Sequence, residues 1–111
     1  MFAKYNSIGQ MVDEKWQNST GNDIAHYKYV YDGKGNIVRS IDFLGKKEYN
    51  YEYEDGRIVR ATEADIVLSG EIVTKKTIIY TVRYYYNTDG RMIKKEITPA
   101  VGSAHTVYYE T

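Results

Sequence analysis

Thirteen tyrosines and two histidines carry most of what this 111-residue chain could use for chemistry. His26 and His105 are the only imidazoles, and the one acid close to His26 along the chain is Asp23. A zinc or related site needs three or four ligands converging on one point, so the spacing predicts no metal centre and no cofactor. Ser19, Thr20 and Ser103 lack the Gly-x-Ser-x-Gly surroundings of an activated nucleophile. The absence of cysteine excludes thiolate chemistry and disulfides. Asp32, Glu54, Asp55 and Asp89 sit at expected hairpin turns, where turn carboxylates could hold calcium. Asp is favoured there in any case, because it hydrogen-bonds its own backbone and tolerates the left-handed region. Glu63 and Asp65 have no partner acid at a fixed distance, so no carboxylate pair for glycoside cleavage is read. The expectation is a chain that is not an enzyme.

The tyrosines, by contrast, recur in a pattern. YKYVYDGKGNIV (Tyr27 to Val38) and YNYEYEDGRIV (Tyr49 to Val59) each place three tyrosines at alternate positions, then an acid, a glycine and two aliphatic residues. Alternation of this kind belongs to a strand, and the glycine to the turn that ends it. Aligned on glycine, the chain holds four units: YNSIGQMV from Tyr5, YDGKGNIV from Tyr31, YEDGRIV from Tyr53 and YNTDGRMI from Tyr86. Tyr109-Glu110 matches the start of a fifth. Residues 1–111 thus read as one repeat segment, expected to be excised from a longer array.

Asp55-Gly56 predicts a two-residue type I′ turn, with positive φ at both positions. The other units carry one more residue, as in Gly33-Lys34-Gly35 and Thr88-Asp89-Gly90, and predict three-residue loops ending on a left-handed glycine. Those turns set Tyr5 opposite Met11, Tyr31 opposite Ile37, Tyr53 opposite Ile58 and Tyr86 opposite Met92. Two residues further out they set Tyr29 opposite Arg39, Tyr51 opposite Arg60 and Tyr84 opposite Lys94. Tyr31, Gly35, Tyr53, Gly56, Tyr86 and Gly90 are accordingly the structural residues of the repeat.

Asp42 to Lys46 supplies a short connection, while QNSTGND (Gln17 to Asp23) and TPAVGSA (Thr98 to Ala104) read as loops. The stretch after Asp65 predicts an inserted hairpin turning at Ser69-Gly70 and returning through Ile78 to Tyr86. No helical period exceeds a turn. The fold predicted is all-β, eight or nine antiparallel strands in a curled open sheet or partial barrel. Fifteen basic and fifteen acidic residues balance, so no pull towards nucleic acid or an anionic membrane is built in. No apolar run reaches the length of a membrane span.

The run from Tyr29 to Asp65, with Tyr-x-Tyr-Asp, Gly-Asn or Gly-Arg, an aliphatic pair and then Asp-x-x-Gly-Lys before the next Tyr-x-Tyr, resembles two consecutive YD repeats of the Rhs family. Asn6 and Asn87 stand where that pattern has an acid. The resemblance implies a large secreted or surface-exposed bacterial protein whose repeats coil one sheet into a shell around a toxic C-terminal domain. It also implies association with cell-wall carbohydrate. YYYNTDGRMI is similar as well to choline- and glucan-binding repeats, but those carry a Gly-Trp pair in each copy. Here Trp16 is the single tryptophan and follows a lysine.

If the tyrosine rows bind a glycan, the residues outside the repeat register, Tyr85 and Tyr108 with Trp16, are the expected contacts. An open sheet with two edges must curl on itself, fold a loop over its face or pair with a second copy, and a symmetric homodimer joined through sheet faces or edges is expected.

Overall fold

The computed structural model describes residues 1–110. Nine strands form one antiparallel sheet in chain order: β1 (Phe2–Tyr5), β2 (Met11–Gln17), β3 (Asp23–Tyr31), β4 (Ile37–Asp42), β5 (Lys47–Glu54), β6 (Arg57–Ser69), β7 (Ile72–Tyr86), β8 (Met92–Pro99) and β9 (His105–Tyr108). No helix forms among the described residues. β1 and β9 each pair on one side only, so the sheet is open. The all-β hairpin architecture read from the alternating tyrosines is the one observed.

Four turns share one device. In Asn6–Gln10, Asn18–Asn22, Asp32–Asn36 and Asn87–Arg91 the first amide donates to the last carbonyl, and the glycine amide donates back to the first carbonyl. The side-chain oxygen of the first residue then accepts two more amides. Asn6 takes those of Ile8 and Gln10, Asp32 those of Lys34 and Asn36, and Asn87 those of Asp89 and Arg91. Amide and carboxylate oxygens serve equally, which is why Asn and Asp alternate at this position. The Asn36 amide is the main reason that the Asp32 carboxyl is held below its ordinary range.

QNSTGND carries the same turn rather than an irregular loop. Asn18 accepts from the amides of Thr20 and Asn22, and Gly21 has φ 85°. In the two-residue turn, Asp55 and Gly56 have φ 51° and 76°, as type I′ demands.

The four tyrosine–aliphatic pairs form as expected: Tyr5 with Met11, Tyr31 with Ile37, Tyr53 with Ile58 and Tyr86 with Met92. The tyrosine–cation stripe does not. One residue beyond each pair the register slips, so that Val30 opposes Arg39, Glu52 opposes Arg60 and Tyr85 opposes Lys94. Val12, Val38, Val59 and Ile93 are the extra residues of four identical bulges. A single added residue moves every later side chain to the other face. Tyr29 therefore meets Ser40 and Tyr51 meets Ala61, while Arg60 pairs with the Glu52 carboxylate at 3.2 Å.

The predicted inserted hairpin is the distal half of β6 and β7, and it turns through Gly70-Glu71. It folds over the face that carries Lys28 and Ile41, where Glu71 at its tip lies 2.6 Å from Lys28 of β3. Ile66, Leu68 and Val73 of this arm pack on Ile41 and Phe43, forming the buried apolar cluster. Burying an aliphatic side chain of this size contributes roughly 1.5–3 kcal/mol. Beside the cluster Glu48 is 2 % exposed. It accepts from Arg39 at 2.8 Å and Asn50 at 2.8 Å, and pairs with Lys76 of the arm at 2.7 Å. Burial pushes its carboxyl up, but these three donors outweigh it and bring it down to about 2.

The backbone geometry makes Gly56 and Gly33 a matched test. Neither would bring an added Cβ within 4 Å of a neighbour, but only Gly56 sits at positive φ. Gly56→Val should cost about 1–2 kcal/mol, the strain of a left-handed residue, and lower the unfolding midpoint by several degrees. Gly33→Ala should leave it unchanged or slightly raised. Thermal denaturation of the two variants checks this.

Candidate functional site

The repeat tyrosines do more than fill their own hairpins. Tyr31 donates its hydroxyl to the Met11 carbonyl at 2.6 Å, Tyr53 to the Ile37 carbonyl at 2.8 Å, and Tyr86 to the Ile58 carbonyl at 2.6 Å. Each acceptor is the aliphatic partner of the tyrosine one hairpin earlier.

The geometry at the three junctions is the same. Backbone pairing between successive hairpins stops at Asp13 with Lys28, Arg39 with Asn50, and Arg60 with Arg83. In each case the tyrosine lies three residues past that point on the later strand, and the carbonyl two residues past it on the earlier strand. The bulge carries the earlier strand away from its neighbour there, and the tyrosine side chain spans the gap. Burial raises the Tyr53 and Tyr86 hydroxyls above their ordinary range. Arg57 lies over the Tyr86 ring, 5.6 Å from its centroid, and fills the space that a Cβ at Gly90 would need. Tyr5 occupies the corresponding place on edge strand β1 and is 61 % exposed.

The three expected ligand contacts do not converge. Tyr85 and Tyr108 flank Lys94 across β7, β8 and β9, with the Lys94 ammonium 4.6 Å from the Tyr85 ring centroid. Tyr108 is 75 % exposed. Trp16 belongs to β2, near the other edge of the sheet, and donates its indole N–H to Glu14 at 2.9 Å. Alternation puts Glu14 and Trp16 on the same face as Tyr27 and Tyr29, opposite to Tyr85 and Tyr108. A different set of rings shares a groove: Tyr49, Tyr51, Tyr80 and Tyr84 border an open hollow of about 390 Å³ around Ala61 and Glu63.

His26 also differs from its reading as an isolated polar residue. It is 7 % exposed, its ring lies 4.5 Å from that of Phe43, and its Nε2 is 2.9 Å from Asp13 rather than beside Asp23. Glu71 reaches the same place from the tip of the arm. Asp13 was recoverable from strand pairing, since it faces Lys28, two residues from His26. Glu71 gave no signal, because its approach depends on the curvature of the arm. His105 stands apart on β9, opposite Ile97.

Searches against protein-family models and against curated proteins give no match to this chain.

If the hydroxyls tie the hairpins together, removing one should be felt while removing another tyrosine hydroxyl is not. Tyr53→Phe is expected to cost about 0.5–1.5 kcal/mol, the net worth of one hydrogen bond. Tyr84→Phe should change stability by less than about 0.5 kcal/mol. Urea denaturation of both variants measures the difference, and equal effects would remove the special role of the repeat position.

Proposed function

We propose that this chain is an architectural repeat segment of the Rhs/YD type, non-enzymatic, from a secreted or surface-exposed bacterial protein. Its work is to extend a β-sheet shell that encloses or displays another domain of a larger parent chain. The observation that supports this reading is the recurrence of one tyrosine–carbonyl bond at three successive junctions in one register. A bond of that kind specifies where the next hairpin docks on the last, which is what a growing repeat wall requires. The side-chain oxygens of Asn6, Asn18, Asp32 and Asn87 and the hydroxyls of Tyr31, Tyr53 and Tyr86 are all engaged with backbone groups.

The groove of Tyr49, Tyr51, Tyr80 and Tyr84 favours a second reading, a cell-wall carbohydrate module. Sugar rings stack on such faces while the hydroxyls hydrogen-bond. The hollow is wide and open, and the rings are half-buried or exposed within a continuous sheet surface.

Titration of the chain with soluble cell-wall polysaccharide fragments, followed on the tyrosine ring resonances, separates the two. The architectural reading predicts no saturable, sugar-specific shift at Tyr49, Tyr51, Tyr80 or Tyr84. A saturable shift confined to those rings would replace it with the carbohydrate reading.

A further inference from the structure

We infer that Asp13, His26 and Glu71 form a binding site for a divalent transition-metal ion of the zinc type, which clasps the tip of the β6–β7 arm to the sheet. The three side chains come from β2, from β3 and from the turn between β6 and β7. One ligand atom from each lies within 4.8 Å of the other two, and His26 Nε2 and Asp13 Oδ1 are 2.9 Å apart. Imidazole and carboxylate ligands sit about 2.0–2.2 Å from zinc, so in a tetrahedral site they are separated by roughly 3.3–3.6 Å. Small side-chain rotations bring the three atoms to that spacing. The mouth of the hollow they line, about 290 Å³ and open to solvent, leaves room for water as a fourth ligand.

The donor set suits such an ion. One imidazole and two carboxylates match zinc and its neighbours better than calcium or magnesium, which prefer all-oxygen shells. The two carboxylate charges balance a dication. His26 is held in place by the Phe43 ring beneath it, so one ligand is positioned before any metal arrives. Two features work in the other direction and set the affinity. Lys4 and Lys15 also line the hollow, and Lys28 already holds Glu71 at 2.6 Å. The ion must therefore compete with a lysine for its third ligand. Gln17 faces the same hollow but donates to Asp23.

Bound there, the ion would link residues far apart in the chain. It would hold the arm over the apolar cluster of Ile41, Ile66, Leu68 and Val73, where Lys28–Glu71 is the tie at the tip.

The test uses the intact chain freed of metal by chelation. Zinc chloride is added in a non-chelating buffer, with calorimetry for stoichiometry and NMR of the two imidazole rings for location. The site predicts one equivalent bound, saturable shifts on the His26 ring but not on His105, and a raised unfolding midpoint. Glu71→Gln, on an exposed turn outside the apolar cluster, should weaken binding roughly 10-fold or more, the scale on which even outer-sphere partners of a metal act. His26→Gln should abolish it, and His105→Gln should leave it unchanged. An unperturbed His26 ring at millimolar zinc overturns the site, as does binding that survives both His26→Gln and Glu71→Gln.

Discussion

The bulge beside each hairpin turn is the constraint from which the rest of this sheet follows. One extra aliphatic residue, Val12, Val38, Val59 or Ile93, bends the return strand and ends its backbone pairing with the next hairpin early. That leaves a gap in which main-chain groups no longer face a partner strand. The tyrosine at the head of the following unit reaches over it and donates to the carbonyl beyond. Tyrosine is suited to this span because it joins an apolar ring, half-buried against the aliphatic residue opposite, to a hydroxyl at the right reach. Phenylalanine would pack equally well and leave the carbonyl without its donor. The bias of thirteen tyrosines to two phenylalanines has a physical reason at these positions.

A sheet joined in this way has local contacts only, each hairpin touching the ones before and after it. The inserted arm supplies what the repeats lack. By folding the ends of β6 and β7 over one face it covers Ile41 and Phe43 and seats Lys76 against the buried Glu48. Folding a segment over the face is one of the ways expected for an open sheet to protect itself, and it is built into this chain. The arm also brings Glu71 to Asp13 and His26, so the most concentrated group of ligating side chains exists because of the insertion rather than the repeat.

The repeat itself was legible in the sequence. Glycine spacing gave the turns, and the turns gave the four tyrosine–aliphatic pairs. The bulge was not legible, because Val38 or Val59 is an ordinary strand residue and nothing in its type announces that it will lack a partner. That one residue is why the tyrosine–cation stripe was misplaced. The Asn18 turn could have been found, since Asn18 and Gly21 repeat the spacing of Asn6 to Gly9 and Asn87 to Gly90. Of the candidate ligand contacts, Tyr85 and Tyr108 were rightly placed on the face away from the repeat tyrosines, whereas Trp16 lies with the tyrosines near the opposite edge. The approach of Glu71 to His26 joins residues far apart in sequence and depends on how far the arm bends, which no local pattern encodes.

The tyrosine hydroxyl protons offer the most direct measurement of this account. A hydroxyl proton held in a hydrogen bond to a carbonyl exchanges slowly with water, and in carbon-labelled protein it couples to the accepting carbonyl carbon. Slowly exchanging hydroxyl protons are expected in the NMR spectrum from Tyr31, Tyr53 and Tyr86, coupled to the carbonyl carbons of Met11, Ile37 and Ile58, whereas the Tyr29 hydroxyl, which donates to the Glu14 carboxylate, shows no such backbone coupling. Hydroxyl protons at those tyrosines that exchange as fast as that of exposed Tyr108 would contradict it.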